Sequence, residues 1–528
     1  MDFFGLGSTL ARSVALLIVA YYLAILGYRI LFHRLSQYPG PFIAKFADSY
    51  GGFYSLKRDL HLRTWRDHKQ YGNVIRQGPN KLVFNSIAAV HDIYLNDKVS
   101  KSLCYEAGNF NPATTNVFNT IDKRVHRIKR QHVGRISTES SIRTFESKLS
   151  QQVNVFMRQL LSSCQEDTGS AVNMSQRCRY LGLDIAGYLG FGYALNLQTD
   201  STYRYLVDAM MIASWRLNMY MQFPVLRKLR LEIIFYLLAV FKEQSVLQTL
   251  SKMIRSRLAK DKHAEHDLYS FMADSLETPQ EDRITASEIW TEGIFFFPAA
   301  GDTASTTLCA LFFYLSRNPE CQRKLAFEIR TTFTSGADIG GPRLAGCQYL
   351  RACINESLRM SPPVPGTLWR EKLPSDGNQP LIVDGHVIPS GTQVGVNIYT
   401  LHHNPEYFPD PFAYMPARWL RSSTEHAKPT ISESTRPSDL IHHPAFIPFS
   451  LGARGCAGKA LAYAEVSLAM ARALWYFDFE LSSTKSMENK EVEFRLFDVF
   501  TSTHDGPYLN FTARGEYYKE LLKDGEEV

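Results

Sequence analysis

The stretch Phe449-Ser450-Leu451-Gly452-Ala453-Arg454-Gly455-Cys456-Ala457-Gly458 decides how the rest of the chain is read. Three glycines bracket one cysteine, and a helix-favouring run over 459–473 begins directly behind it. Gly452 and Gly455 give the backbone freedom for a tight loop, and Gly458 lets something flat come close. A cysteine at a helix N-terminus lies where unpaired N–H groups and the helix dipole favour a thiolate. Arg454 adds a cation two residues away. The stretch is suited to holding a metal through one anionic sulfur. The ordinary alternative is a buried free cysteine that merely precedes a helix.

Spacing weighs against that alternative, because F-x-x-G-x-R-x-C-x-G arises by chance in roughly one chain of this length in ten thousand. The stretch resembles the haem-binding loop of the cytochrome P450 family, whose cysteine is the proximal iron ligand and whose thiolate favours O–O cleavage. The resemblance makes Cys456 the axial ligand of haem b (iron protoporphyrin IX), in a cradle that includes Phe449, Gly452, Arg454 and Gly458.

At 528 residues and 45% hydrophobic content the chain can bury a deep core. A net charge of +6, spread along the sequence, leaves no nucleic-acid footprint. Eight cysteines without a C-x-x-C pair read as reduced, cytosol-facing thiols. Sequons at Asn173 and Asn510 fall in a part expected to face the cytosol, so they are not read as glycosylation sites.

Residues 13–28 carry no charge. Counting past Arg29, whose stem can snorkel, the span 14–32 gives nineteen residues. As a helix that is about 28 Å, one hydrocarbon core. A cleaved signal peptide is the competing reading, but no A-x-A site follows. Arg29, Arg34 and Lys45 on the C-terminal flank place the bulk of the chain in the cytosol. The expected organisation is a lumenal N-terminus (1–12), a transmembrane anchor (13–32), a proline-rich hinge (33–45) around Tyr38-Pro39-Gly40-Pro41, and a haem-thiolate catalytic domain (46–528). This describes a single-pass protein of the endoplasmic reticulum membrane, mainly α with small β-sheets.

Val74-Ile-Arg and Leu82-Val-Phe flank a turn at Gln77-Gly-Pro-Asn80 and read as a hairpin. Residues 101–121, with Phe110, Asn111 and Phe118, form a polar loop before a basic helix. There His126 and Arg130, amid Lys123, Arg124, Arg127 and Lys129, share a face and can point at one anion. A solvated basic face is the default for such a run. The resemblance instead supplies haem propionates, with histidine standing where the family has the tryptophan of W-x-x-x-R. The same surface could dock an acidic redox partner. Residues 184–192 read as a core helix ending. The Met- and aromatic-rich span 203–241 corresponds to the family's substrate-access lid, and the charged span 260–283 connects it onward.

Residues 286–316 form a long apolar helix containing Pro298-Ala-Ala-Gly-Asp302-Thr303, where proline predicts a kink. A threonine bonded to its own turn and an aspartate reaching solvent is the plain reading. Beside the cysteine loop, the stretch resembles the family's A-G-x-D-T-T motif, in which Asp302 and Thr303 would relay protons to dioxygen. Ala300 and Ala304 depart from that motif, and Gly301 is expected to open the groove.

Glu356 and Arg359 match the family's E-x-x-R, and Pro416-Ala-Arg418 matches its P-x-R segment. The resemblance implies a buried Glu356–Arg359–Arg418 network behind the cysteine loop. It also assigns residues 364–369 to the substrate pocket, Arg370 to a propionate, and His402 to a weaker propionate contact. Residues 381–398 alternate like strands, with a hairpin turn at Asp384-Gly385. Residues 421–443 read as a loop insertion, and 500–511 as a terminal hairpin around Gly506-Pro507 whose tip enters the pocket.

The resemblance covers roughly 38–515 and is nearest to fungal, microsomal members of secondary metabolism. It implies a monooxygenase that oxidises a lipophilic small molecule with dioxygen. Electrons would come from NADPH through a separate membrane-bound haemoprotein reductase, since the chain has no G-x-G-x-x-G motif. Alternatives are a non-oxygenating haem-thiolate isomerase or dehydratase, against which the Asp302-Thr303 pair argues, and a haem sensor or carrier.

Overall fold

A 25-residue apolar helix, α1 (Phe3–Gly27), runs into a π-helical turn at Tyr28–Phe32. Leu16, Leu17, Ile18, Val19 and Tyr21–Leu23 all stand exposed, so the helix has no protein core to bury them in. The window Arg12–Phe32 is long and apolar enough to cross a membrane. Among the described residues only Ser287–Arg317 passes the same test, and more than half of it is buried in the core. The computed structural model describes residues 3–108, 114–165, 171–229, 246–273, 284–421, 441–482 and 492–523.

The Arg29 guanidinium donates to Phe46 O, and the Arg29 carbonyl accepts from the buried Arg76 at 3.1 Å. Arg76 also donates to Leu35 O at 3.4 Å and Pro79 O at 2.9 Å, pinning the exit of the anchor to the sheet. At the proline-rich hinge, Gly40 has φ +157° and abuts Arg76 O, where no Cβ could fit.

The five-stranded sheet runs in the order β1-β2-β8-β5-β3. Its members are β1 (Val74–Gly78), β2 (Lys81–Phe84), β3 (Ser100–Lys101), β5 (Arg370–Glu371) and β8 (Gln393–Val396). The expected hairpin is β1–β2. A second, β6 (Leu381–Val383) with β7 (His386–Ile388), turns at Asp384-Gly385, whose φ values of 51° and 76° suit that Asp-Gly pair. The helices α2 (Ser49–Leu56), α3 (Leu60–Tyr71) and α4 (Ile87–Tyr94) pack around this sheet.

The larger core is helical. It is built by α5 (Lys123–Gly134), α6 (Glu139–Gln165), α7 (Met174–Phe191), α8 (Tyr205–Gln222), α9 (Ala286–Arg317), α10 (Gln348–Met360) and α12 (Lys459–Tyr476), while a short α11 (Ile398–His402) packs with the sheet. Helix α7 ends on Gly192 in the left-handed region, φ 54°, as a helix C-cap requires. Asp184 does more than pack: its carboxylate accepts from Leu197 N at 2.8 Å and Gln198 N at 3.1 Å.

The C-terminal strands correct one expectation. The hairpin there is β10 (Phe497–Val499) with β11 (Thr501–Thr503), turning at Phe500, not around Gly506-Pro507. Strand β12 (Tyr508–Ala513) pairs instead with β9 (Phe477–Leu481) and β4 (Val172–Asn173), which take both its edges. Phe110 and Asn111, residues 230–241 of the expected lid, 274–283 of the connector and 422–440 of the expected insertion lie outside the described residues.

Candidate active site

The cysteine loop turns on two left-handed residues, Ser450 (φ 57°) and Gly452 (φ 69°), and is closed by Cys456 N–H donating to Phe449 O at 2.8 Å. Gly452 must be glycine: a Cβ there would run into Tyr94 O of α4. Gly455 has an ordinary φ of −62°, so its lack of a side chain serves packing against Gly452 O. Gly458 leaves the sulfur side open, with a notional Cβ 4.0 Å from Sγ of Cys456. The Phe449 ring packs on Tyr463 of α12, centroids 5.4 Å apart.

All eight cysteines are free, and Cys456 alone is exposed. Protein nonetheless crowds the sulfur, and burial pushes its thiol up. The Gly458 N–H, Arg130 and Lys459 oppose that rise. Arg454 is not among them, contrary to the sequence reading. Its guanidinium crosses to the other side of the loop and donates to Thr120 O (2.6 Å) and Ile121 O (2.7 Å). Arg130 takes the role at the sulfur. It donates to Gly455 O at 2.8 Å and Cys456 O at 3.3 Å.

Lys101, Arg370 and Arg454 cluster around the neutral imidazole of His126. His126, Lys101 and Arg370 are buried, and Arg454 is half-buried. Lys101 and Arg370 are direct partners in the β3–β5 pairing. Burial, then Arg370 and Arg454, hold the Lys101 ammonium well below its usual range. Burial, then Arg454, Lys101, Arg130 and Arg370, push His126 down to about 3. Burial and Arg370 bring Arg454 down to about 10. Among the described residues none of the four is in a salt bridge. Buried cations without a counter-charge are costly, so the group is built for an anionic ligand. Lys101 was not singled out from the sequence, because a lysine in a polar stretch carries no signal of burial.

His402 does not join this group. Its Nδ1 donates to Arg359 O at 3.2 Å and its Nε2 accepts from Ile447 N–H at 3.0 Å, so both nitrogens are committed to the scaffold.

That scaffold centres on Glu356, which is fully buried. Its carboxylate accepts from Arg359 Nε and Nη2 (2.9 and 2.8 Å), Arg418 Nε (3.0 Å), Trp419 Nε1 (2.9 Å) and Met415 N (3.0 Å). Arg359 in turn donates to His402 O and Pro411 O. Trp419 was left without a role by sequence reading, since an indole N–H has no positional signature.

Helix α9 runs through Pro298 without ending. Asp302 is buried, and burial, opposed by Arg179, pushes its carboxyl up to about 6. Thr303 Oγ1 donates to Ala299 O at 2.8 Å, the bond to its own turn. Gly301 does not open a groove. Its bare face meets α7, where a Cβ would lie 2.6 Å from Leu183 Cδ2, and the facing Gly182 is equally tight against Gly301 O. Phe295, seven residues before Asp302, lies on the same helix face.

A cysteine loop at a helix N-terminus, a basic cluster beside it and an acid–hydroxyl pair on the long central helix together fit a haem held by cysteine. The cytochrome P450 family model matches residues 49–507. Curated relatives agree along nearly the whole chain. "Cytochrome P450 monooxygenase poxM" of Penicillium oxalicum is 31% identical over 98% of this chain and 96% of its own. "Cytochrome P450 monooxygenase apf7" of Gibberella fujikuroi is 31% identical over 92% and 95%. "Cytochrome P450 monooxygenase AKT7" of Alternaria alternata is 32% identical over 94% and 96%. The chain belongs to the cytochrome P450 family and is an oxidoreductase of its monooxygenase class.

Proposed function

We propose that this enzyme inserts one oxygen atom of dioxygen into a lipophilic small molecule, by hydroxylation, epoxidation or successive oxidation, in a fungal secondary-metabolite pathway such as that of a terpenoid, polyketide or alkaloid. The observation that carries the reading is the cluster of Lys101, Arg370 and Arg454 around His126 beside the Cys456 loop, in no salt bridge among the described residues, which suits the two propionates of haem b. Cys456 would hold the iron through sulfur, and His126, Lys101, Arg370 and Arg454 the carboxylates. When bound, the haem supplies dioxygen activation, with the thiolate favouring O–O cleavage.

The chain's own residues supply the rest. Arg130 fixes the loop carbonyls, and Glu356 with Arg359, Arg418 and Trp419 holds the segment before the loop against α10. Asp302, with a carboxyl near 6, can exchange a proton close to neutral pH. The Thr303 hydroxyl spends its proton on Ala299 O and keeps lone pairs free to accept another. Electrons come from NADPH through a membrane-bound reductase, for which the exposed Arg127 and its neighbours on α5 offer a cationic surface. Residues 13–32 anchor the protein in the endoplasmic reticulum membrane, with 1–12 lumenal, 33–45 as hinge and 46–528 cytosolic.

The test is a reduced carbon-monoxide difference spectrum of the full chain, followed by microsomal assay with reductase and NADPH on the precursor that accumulates in a deletion strain. A red-shifted Soret band lost in Cys456→Ala, and product only with reductase, are expected. A normal band in Cys456→Ala, or turnover without reductase and dioxygen, overturns the reading.

A further inference from the structure

At the tip of the β10–β11 hairpin, Phe500 has a φ of +87°, a left-handed backbone that a side chain as large as phenylalanine rarely adopts. It is held there by Asp498, whose Oδ1 accepts from Phe500 N–H at 3.0 Å. The same Oδ1 accepts from Asn218 Nδ2 on α8, also at 3.0 Å. Asp498 is itself buried, and its N–H donates to Arg58 O at 2.7 Å. His61 Nδ1 stands 3.9 Å from Oδ2, and a Cβ on Gly366 would lie 3.4 Å from Oδ2. One carboxylate therefore joins the hairpin, the helix expected to be the lid, and the turn before β5.

What this strained turn delivers is a ring. Phe500 meets Phe118 edge-on, centroids 5.0 Å apart, and Phe118 stacks on Phe295 at 4.9 Å with planes 16° apart. Phe295 lies two turns above Asp302 on α9, a rise of roughly 10 Å. Phe118 sits beside the cationic group, under Lys101 Nζ at 4.2 Å. The three rings bridge the space between the cations and the acid–hydroxyl helix.

We propose that Asp498 is the positioning residue for substrate size. By holding Phe500 in its left-handed turn it completes a Phe118–Phe295–Phe500 roof, and by holding Asn218 it ties that roof to α8. Bulky apolar ligands then enter only when the Asn218–Asp498 bond opens. The inference rests on the haem-thiolate reading above.

The test is spectral titration of the full-length haem protein with two probes, imidazole and the bulky azole clotrimazole, following the Soret shift. Phe500→Ala is expected to tighten clotrimazole at least tenfold while imidazole stays within twofold. Asp498→Ala does the same although the ring remains, and Asp498→Asn, which keeps an acceptor for Phe500 N–H, restores wild-type values. Asn218→Ala keeps the wild-type affinity ratio but admits clotrimazole at least threefold faster in stopped flow, a readout that stands even if Asp498→Ala fails to take up haem. An unchanged ratio in Phe500→Ala, an Asp498→Asn that behaves as Asp498→Ala, or an unchanged rate in Asn218→Ala overturns the proposal alone. A wild type that gives no Soret shift with imidazole overturns the parent reading instead.

Discussion

Lys101 and Arg370 stand directly opposite one another across the antiparallel β3–β5 pair, two buried cations in register. Like charges so placed repel. Arg370 donates to its neighbour's carbonyl, Trp369 O at 3.1 Å, and lies 5.0 Å from the Tyr94 ring centroid. The arrangement is costly without an anion and favourable with one.

Lys101→Met is therefore expected to separate two quantities that usually move together. The haem-free protein becomes more stable and the haem-loaded protein loses haem faster. Because the folded state holds the Lys101 pKa below its unfolded value, the unfolded chain binds more protons, and haem-free stability rises with pH through that window. Lys101→Met flattens the rise. Urea unfolding of the haem-free protein, and haem transfer to apomyoglobin, measure the two effects; a variant with wild-type haem retention sinks the propionate assignment.

Five hydrogen bonds converge on the Glu356 carboxylate, and removing it leaves Arg359 and Arg418 without their counter-charge. Breaking such a buried network costs about 3–5 kcal/mol. Glu356→Ala and Arg359→Ala are expected to accumulate without haem, and Trp419→Phe, which deletes one N–H, to lose stability by about 1–2 kcal/mol while keeping haem. Haem content per chain and thermal unfolding report both. Full haem in Glu356→Ala would remove the network from any role in shaping the site.

Asp302 binds its proton more tightly folded than unfolded, since burial raises its pKa from 3.8 to about 6. Between those values the folded state holds the extra proton, so this group's contribution to stability falls as pH rises, by about 3 kcal/mol in all. Asp302→Asn should show none of that fall. Unfolding of the two proteins at pH 4.5 and 7.5 gives the difference; equal pH slopes mean that the carboxyl is solvated.

Thr303→Val removes a hydroxyl and keeps the shape. It is expected to uncouple NADPH consumption from product and release peroxide, whereas Thr303→Ser, which can make the same bond to Ala299 O, retains coupling. The ratio of peroxide to product in a reductase-reconstituted assay decides, and unchanged coupling in Thr303→Val takes this residue out of proton handling.

The features legible in the chain itself are those carried by local spacing. The cysteine loop, E-x-x-R, the acid–hydroxyl pair, the Asp384-Gly385 hairpin and the apolar N-terminal helix each depend on residues within one or two turns of each other. Short-range backbone chemistry fixes them wherever they occur. Partnership was not legible in this way. Arg130 rather than Arg454 bears on the Cys456 sulfur because a guanidinium on a long stem reaches either side of a loop, and only packing says which carbonyls are free there. Gly301 turned from a groove into a helix contact because the Gly182 that meets it lies more than a hundred residues away. Lys101 became part of the site only when strand register set it against Arg370. The C-terminal hairpin moved to Phe500 because β12 found its partners in β9 and β4. Sequence thus determined which chemistry this protein carries, through motifs whose geometry closes locally. Tertiary structure decided which charges face each other and which rings meet, since those contacts join segments whose approach no local spacing encodes.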